Sequence, residues 1–259
     1  MCKKRTGEML MQLNELEIYL NQLLDAAHFC DYCPNGLQVE GKNTVRRLVS
    51  GVTASFDLLQ AAVAAGADTV LVHHGYFWRG EDQCLVGMKR RRIALLMAHD
   101  ISLLAYHLPL DAHPELGNNA QLARRLGFIE TGRFGQQNIA MQGTLLSQVS
   151  TLRDLRINIE RVLSHKPLVI GSDERLVRRV AWCTGAAQGY FDEAIRQGVD
   201  AFITGEISEQ NVHAARESGV AFIAAGHHAT ERYGVQALGE HISRKFNIAH
   251  QFIDVDNPV

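Results

Sequence analysis

No run of apolar residues in this 259-residue chain approaches the ~20 needed to cross a bilayer. Its apolar runs, such as Val70-Leu71-Val72 and Ala221-Phe222-Ile223-Ala224-Ala225, are short, with Asp or His close by. A membrane span is therefore not expected. The start, Met1-Cys2-Lys3-Lys4-Arg5, is basic, but Thr6, Gly7 and Glu8 follow where a secretory signal needs an apolar stretch, so the expected location is the cytoplasm. Cysteine is scarce and odd in number: five residues without a signal argue against a disulfide framework and for reduced thiols. Cys30-Asp31-Tyr32-Cys33 has C-x-x-C spacing, yet Cys2, Cys84 and Cys183 are isolated, so the second pair of a zinc knuckle is missing and the motif is given no role. There is also no charge excess. A formal net charge of -2 offers no global field for polyanions. The run Lys89-Arg90-Arg91-Arg92 is short and reads as a solvated helix face, one that could still steer a phosphorylated substrate. Nucleic acid is not an expected partner.

What is present is an ordinary globular composition, 46% hydrophobic and 21% charged, enough for one large core or two modest ones. Leu13, Leu16, Leu20, Leu23 and Leu24 recur at helical spacing within Leu10 to Ala27, and Pro34-Asn35-Gly36 ends that segment in a turn. Leu48 to Val52 reads as a buried strand, Phe56 to Ala65 as a helix closed by Gly66, and Thr69 to Val72 as a second strand, which makes a βαβ unit and hence a parallel sheet. A helix over Arg91 to His99 and a strand over Ser102 to Ala105 repeat the step.

The second half does the same. Val180 to Thr184 stands where Val49 to Thr53 stood, a helix over Tyr190 to Gln197 ends at Gly198, and Gly198-Val199-Asp200 parallels Gly66-Ala67-Asp68. A helix over Glu209 to Glu217 leads to the strand Ala221 to Ala225. Internal duplication explains this pattern economically. The expected fold is α/β, with two similar α/β lobes related by a pseudo-two-fold axis, residues 1–130 and 131–259. Residues 130–178, with Gly132, Gly135, Gly143 and Gln136-Gln137-Asn138, read as an irregular connector at the start of the second lobe.

Four segments follow the carboxyl ends of expected parallel strands, where open α/β sheets place ligands. They are His73-His74-Gly75, His107 to Asp111, Gly205-Glu206 and Gly226-His227-His228-Ala229-Thr230-Glu231. His107 and Asp111 share the four-residue spacing of His227 and Glu231, so the repeat aligns the two pairs. Residues four apart on a helix share a face. His73 and His74, being adjacent, would point to opposite sides of an extended strand unless the chain turns at its end. A single histidine after a strand is usually structural, but two His-His pairs and two His-x-x-x-Asp/Glu units are the residue types that suit Zn, Fe, Mn or Ni. Paired ions need carboxylates to offset their mutual repulsion, a task Asp111 and Glu231 suit. Glu206 reads either as a proton shuttle or as the cap of the helix that follows.

At these residues the sequence resembles the family of GTP cyclohydrolase 1 type 2 homologues, the Ngg-interacting-factor-three-like proteins. The resemblance runs over nearly the whole chain, through Asp31 to Gly41, Val72 to Trp78, Tyr106 to Asp111, Phe202 to Glu206 and Gly226 to Glu231, with Met1 to Met9 extending beyond the usual family beginning. It implies two α/β domains, a dinuclear metal site between the lobes, and a homohexameric toroid. By matching position it places the ligands of two divalent ions on His73, His74, Asp111, His227 and Glu231, with His107 supporting them. The expected activity is that of a metal-dependent hydrolase acting on a nucleotide-like small molecule at a heterocyclic C–N bond. The alternative is a non-catalytic metal chaperone, storage or regulatory protein.

Overall fold

The computed structural model describes residues 11–146 and 150–259; residue 10 of the expected first helix and Met1 to Met9 lie outside them. The chain forms two compact units, one made of the chain up to Tyr106 with Gly239–Ile253, the other of His107–Leu238 with Asp254–Val259. The units therefore change at Tyr106 and His107 rather than near residue 130, and a late segment returns to the first unit. The reason is a strand, Ala249–Phe252, that pairs parallel with Arg47–Thr53.

In the first unit a five-stranded sheet runs in the order Ala249–Phe252, Arg47–Thr53, Thr69–His74, Ser102–Ala105, Gly36–Val39. The first four are mutually parallel and Gly36–Val39 is antiparallel to its neighbour. Leu48, Val49, Val70, Leu71, Val72, Leu103 and Leu104 are all buried. Consecutive burial, in place of alternation, is what a parallel sheet covered on both faces demands. The helix Leu13–Leu23 is shorter than its apolar spacing suggested, and a 3-10 turn, Ala26–His28, follows it. Phe56–Ala64 opens on Ser55, whose Oγ accepts from Leu58 N at 3.2 Å, and Gly66 leaves it at φ +69. The helix expected from Arg91 begins earlier, at Gly87.

The second unit has a six-stranded sheet ordered Leu168–Ile170, Ala221–Ala224, Ala201–Thr204, Arg179–Trp182, Ala140–Leu145, Phe128–Phe134. The three strands read from the sequence are parallel, and the rest add on antiparallel. Trp182 is fully buried against Phe128, with ring centroids 5.2 Å apart. Phe191, Phe202 and Phe222 form a second aromatic cluster. Among its described residues, the segment expected to be an irregular connector holds most of Phe128–Phe134, the strands Ala140–Leu145 and Leu168–Ile170, and the helix Leu152–Leu163, whose capping box joins Thr151 and Asp154. Its glycines misled because two of them lie inside strands. Gly132 falls at a register shift, and a Cβ at Gly143 would lie 1.9 Å from Ile129 O.

The repeated Gly-x-Asp has a physical role. Asp68 Oδ2 accepts from the backbone N–H of Arg46 and Arg47, each at 3.1 Å, and Asp200 Oδ2 accepts from Arg178 and Arg179, each at 2.8 Å. In each unit one carboxylate thus clamps the start of the neighbouring parallel strand. Asp68→Ala and Asp200→Ala are each expected to cost roughly 1–3 kcal/mol, the range for hydrogen bonds to a charged acceptor, read as a lowered urea midpoint.

His250 gives the first unit a pH-dependent contribution to stability. Burial lowers its pKa from the ordinary 6.5, against the pull of Glu240, and its Nε2 lies 2.8 Å from Ser50 Oγ. The unfolded chain takes up the proton first, so this contribution is complete above about pH 6.5 and is lost as pH falls below that value through the folded-state pKa. Melting temperature measured from pH 8 to pH 5 should fall on acidification, and less steeply in His250→Gln.

Candidate metal centre

Tyr106 N donates to Val72 O at 3.1 Å, which continues the pairing of Thr69–His74 with Ser102–Ala105. His73 and His74 end the first of these strands. Their rings lie with centroids 4.5 Å apart at 41°, so adjacency on the strand does not separate the two imidazoles. Gly75 permits this, because a Cβ there would lie 2.2 Å from Gln38 Oε1. His73 is buried and its Nδ1 lies 2.9 Å from Tyr106 O. A carbonyl only accepts, so Nδ1 carries the proton and the lone pair resides on Nε2, the tautomer a metal ligand needs. His74 Nδ1 lies 3.1 Å from Thr53 Oγ1.

In the second unit, Asp111 sits on the short helix Leu108–Ala112, started by Pro109, with His107 O accepting from Asp111 N at 3.1 Å. Asp111 is 5% exposed. Oδ1 accepts from Asn118 Nδ2 at 2.8 Å and from Thr184 Oγ1 at 3.3 Å. Asn118 Oδ1 in turn accepts from Gly234 N at 2.8 Å, and Asn119 Oδ1 accepts from Thr184 N at 3.0 Å. These buried asparagines, next to each other seven and eight residues after Asp111, were not read from the sequence. The available signal was an Asn-Asn pair opening a helix after Gly117.

His227 and Glu231 occupy the first turns of the His227–Phe246 helix, on one face. His227 Nδ1 lies 2.7 Å from Glu206 Oε1, and its Nε2 lies 3.0 Å from Glu231 Oε2. Burial opposes the charged imidazole, but hydrogen bonds and charge from Glu231 and Glu206 outweigh it and push the pKa up to about 9. Glu206 is thus engaged on the far nitrogen of a ligand-type histidine. Glu231 is 3% exposed and packs against Gly185, at φ +68, where a Cβ would lie 2.0 Å from Oε1 and 3.2 Å from His227 Nε2. The turn Cys183–Thr184–Gly185 therefore meets Asp111 through Thr184 and Glu231 through Gly185. Burial raises the pKa of the Cys183 thiol, and the charges of Asp111 and Glu231 add to the rise.

Taken by unit, the structure joins Glu206, His227 and Glu231 in a chain of direct contacts, sets Asp111 and Glu231 against the same Thr184–Gly185 turn, and brings His73 beside His74. The donors of the second unit fit a divalent ion. Two nearly inaccessible carboxylates, an imidazole oriented by a third carboxylate, and a glycine that admits no side chain among them are groups that could hold a metal ion. Cys30 is exposed and Cys33 buried, and among the described residues neither is in a disulfide. No helix among the described residues is long and apolar enough to cross a membrane.

This mixed α/β fold, with ligand-type residues at the carboxyl ends of its parallel strands, defines a class that the comparisons with known proteins identify. The model of the Duf34/NIF3 (NGG1p interacting factor 3) family matches residues 11–258, and the chain belongs to that family. A Pseudomonas aeruginosa protein named GTP cyclohydrolase 1 type 2 homolog is 57% identical over 96% of this chain and 100% of its own length. The solved structure of the protein ybgI, titled as of unknown function, superposes with a TM-score of 0.92 at 52% identity, covering 96% of this chain and all of that one. TTHA1606 from Thermus thermophilus gives a TM-score of 0.88 at 34% identity over the same shares.

Removing the charge that orients His227 tests the cradle. Glu206→Gln keeps the shape and is expected to weaken divalent-ion binding by about 10–100-fold, the usual effect of losing such a partner. Titration calorimetry with Zn²⁺ or Mn²⁺ measures it, with the thermal melt as control for folding.

Proposed function

We propose that the chain is a dinuclear metal-binding protein and a metal-dependent hydrolase that opens a heterocyclic C–N bond in a nucleotide or a related small molecule. The ligands in this reading are His73 and His74 from the first unit and Asp111, His227 and Glu231 from the second. The observation that carries it is the contact chain Glu206–His227–Glu231, with Asp111 buried against the same Thr184–Gly185 turn that Glu231 meets. The name of the Pseudomonas aeruginosa relative supports the choice of a purine-like ring as substrate class.

Divalent Zn, Fe, Mn or Ni held there would supply Lewis-acid charge and make a water acidic enough to act near neutral pH. The remaining work belongs to the chain. Glu206 holds the proton on Nδ1 of His227, so that Nε2 would offer its electron pair to an ion that took the place of the proton it shares with Glu231. Asn118 and Thr184 fix the orientation of Asp111, so that its charge is placed and not merely present. The His107 carbonyl accepts from the backbone N–H of Asp111 and so fixes the helical turn that carries this carboxylate. Assembly of six chains into a ring belongs to the same proposal.

Metal analysis of anaerobically purified protein should return a pair of ions per chain, and Glu231→Gln should lose at least one of them. Turnover of nucleotides and cyclic amides, screened with Mn, Zn and Fe loading, should fall at least 100-fold in the same variant. Full metal occupancy without turnover on any substrate of the screen would leave a storage or delivery protein and end the hydrolase reading.

A further inference from the structure

A cavity of the second unit lies at the carboxyl ends of the parallel strands Ala201–Thr204 and Ala221–Ala224. Its volume is about 500 Å³, within the ~300–1,000 Å³ of small-molecule sites. The two glycines of its wall, Gly205 and Gly226, immediately precede Glu206 and His227, so an occupant lies against the backbone that positions both. Gly226 is at φ +92, and a Cβ there would sit 2.9 Å from His165 Cδ2 and 3.0 Å from its Nε2. Only glycine admits that imidazole. Lys166, next in sequence, is exposed and makes no ion pair among the described residues. Leu168 opens the edge strand opposite Ala224 and is 52% exposed, an apolar wall with no protein neighbour over half its surface. Glu206 enters from the other side, its carboxylate shared with His227 and Gln188.

These groups have complementary tasks. An ammonium and an imidazole side by side on one loop recognise an anion, the leucine receives a flat apolar face, and a carboxylate accepts N–H groups from a heterocycle. We propose that this cavity is the substrate subsite of the second unit, binding a phosphomonoester on a heterocyclic body of nucleoside monophosphate size. Lys166 and His165 hold the phosphate, and Leu168 packs on the ring. The orientation toward Glu206 rests on the metal-centre reading above, whereas the anion contact does not.

The probes are AMP, adenosine and inorganic phosphate, titrated into the full-length protein with and without Mn²⁺, with metal content measured on the same samples. AMP is expected to bind the metal-free protein, to weaken about tenfold in Lys166→Ala and further in Lys166→Glu, and to weaken with added salt. Adenosine should bind more weakly than AMP and be indifferent to Lys166. Lys166 is exposed, so its variants leave the fold intact, which a melt verifies. AMP binding unchanged in Lys166→Ala, adenosine binding as well as AMP, or no AMP binding in the metal-free protein would overturn the subsite. Metal bound at full occupancy alongside Lys166-indifferent AMP binding would sink the subsite alone. Lys166-dependent AMP binding in a protein that takes up no divalent ion would sink the metal reading and sustain the subsite.

Discussion

Two carboxylates placed out of reach of water govern the second unit. A carboxylate removed from solvent costs several kcal/mol unless donors or cations answer it, and the surroundings of Asp111 and Glu231 are arranged as that answer. Asn118 and Thr184 turn their donors to Asp111, while His227 faces Glu231 from one helical turn away. The donors must themselves be held. Asn118 is anchored on Gly234 N, and Thr184 on Asn119, which also accepts from Trp182 Nε1 through its backbone carbonyl at 3.0 Å. The aromatic core of the second unit is thus wired to its charged centre through a single pair of asparagines.

The ends of the parallel strands repeat one device. Gly75, Gly185, Gly205 and Gly226 each come within three residues after a strand, and each stands where a Cβ would meet a neighbour within 3 Å. Backbone closeness at these points draws the donors together, since a larger residue would hold the turns apart. Three of the four lie in the second unit, and they border the cradle and the cavity alike.

The parallel strands were legible because buried runs such as Thr69 to Val72 and Ala221 to Ala224 leave no polar face, and because Gly66 and Gly198 close the intervening helices at positive φ. The paired aspartates 68 and 200 were visible as a pattern, although their task as acceptors for strand-opening N–H groups was not. The carboxyl-end histidines and acids could be picked out by spacing, since four residues make one helical turn. Other features depend on partners far away in sequence. Ala249–Phe252, a four-residue strand with two polar side chains, has no signature apart from the strand it joins, so the return of the chain to the first unit was missed. Gly132 and Gly143 signal turns by type and serve inside strands by packing. Glu206 was recognised as chemically significant, yet its task is set by His227, a residue 21 positions on, and not by the helix that follows it.

The bridging role of Asn118 has a consequence for the ageing of the molecule. Its side chain uses an N–H toward Asp111 and its oxygen toward Gly234, so each half of the amide has a different chemical duty. Deamidation would exchange the donor for a second anionic oxygen facing Asp111, turning attraction into repulsion at one of the least accessible points of the chain. An asparagine followed by another asparagine is exposed to that chemistry mainly when the backbone can flex. The rigidity that holds Asp111 in place thereby also sets the chemical lifetime of the group that holds it.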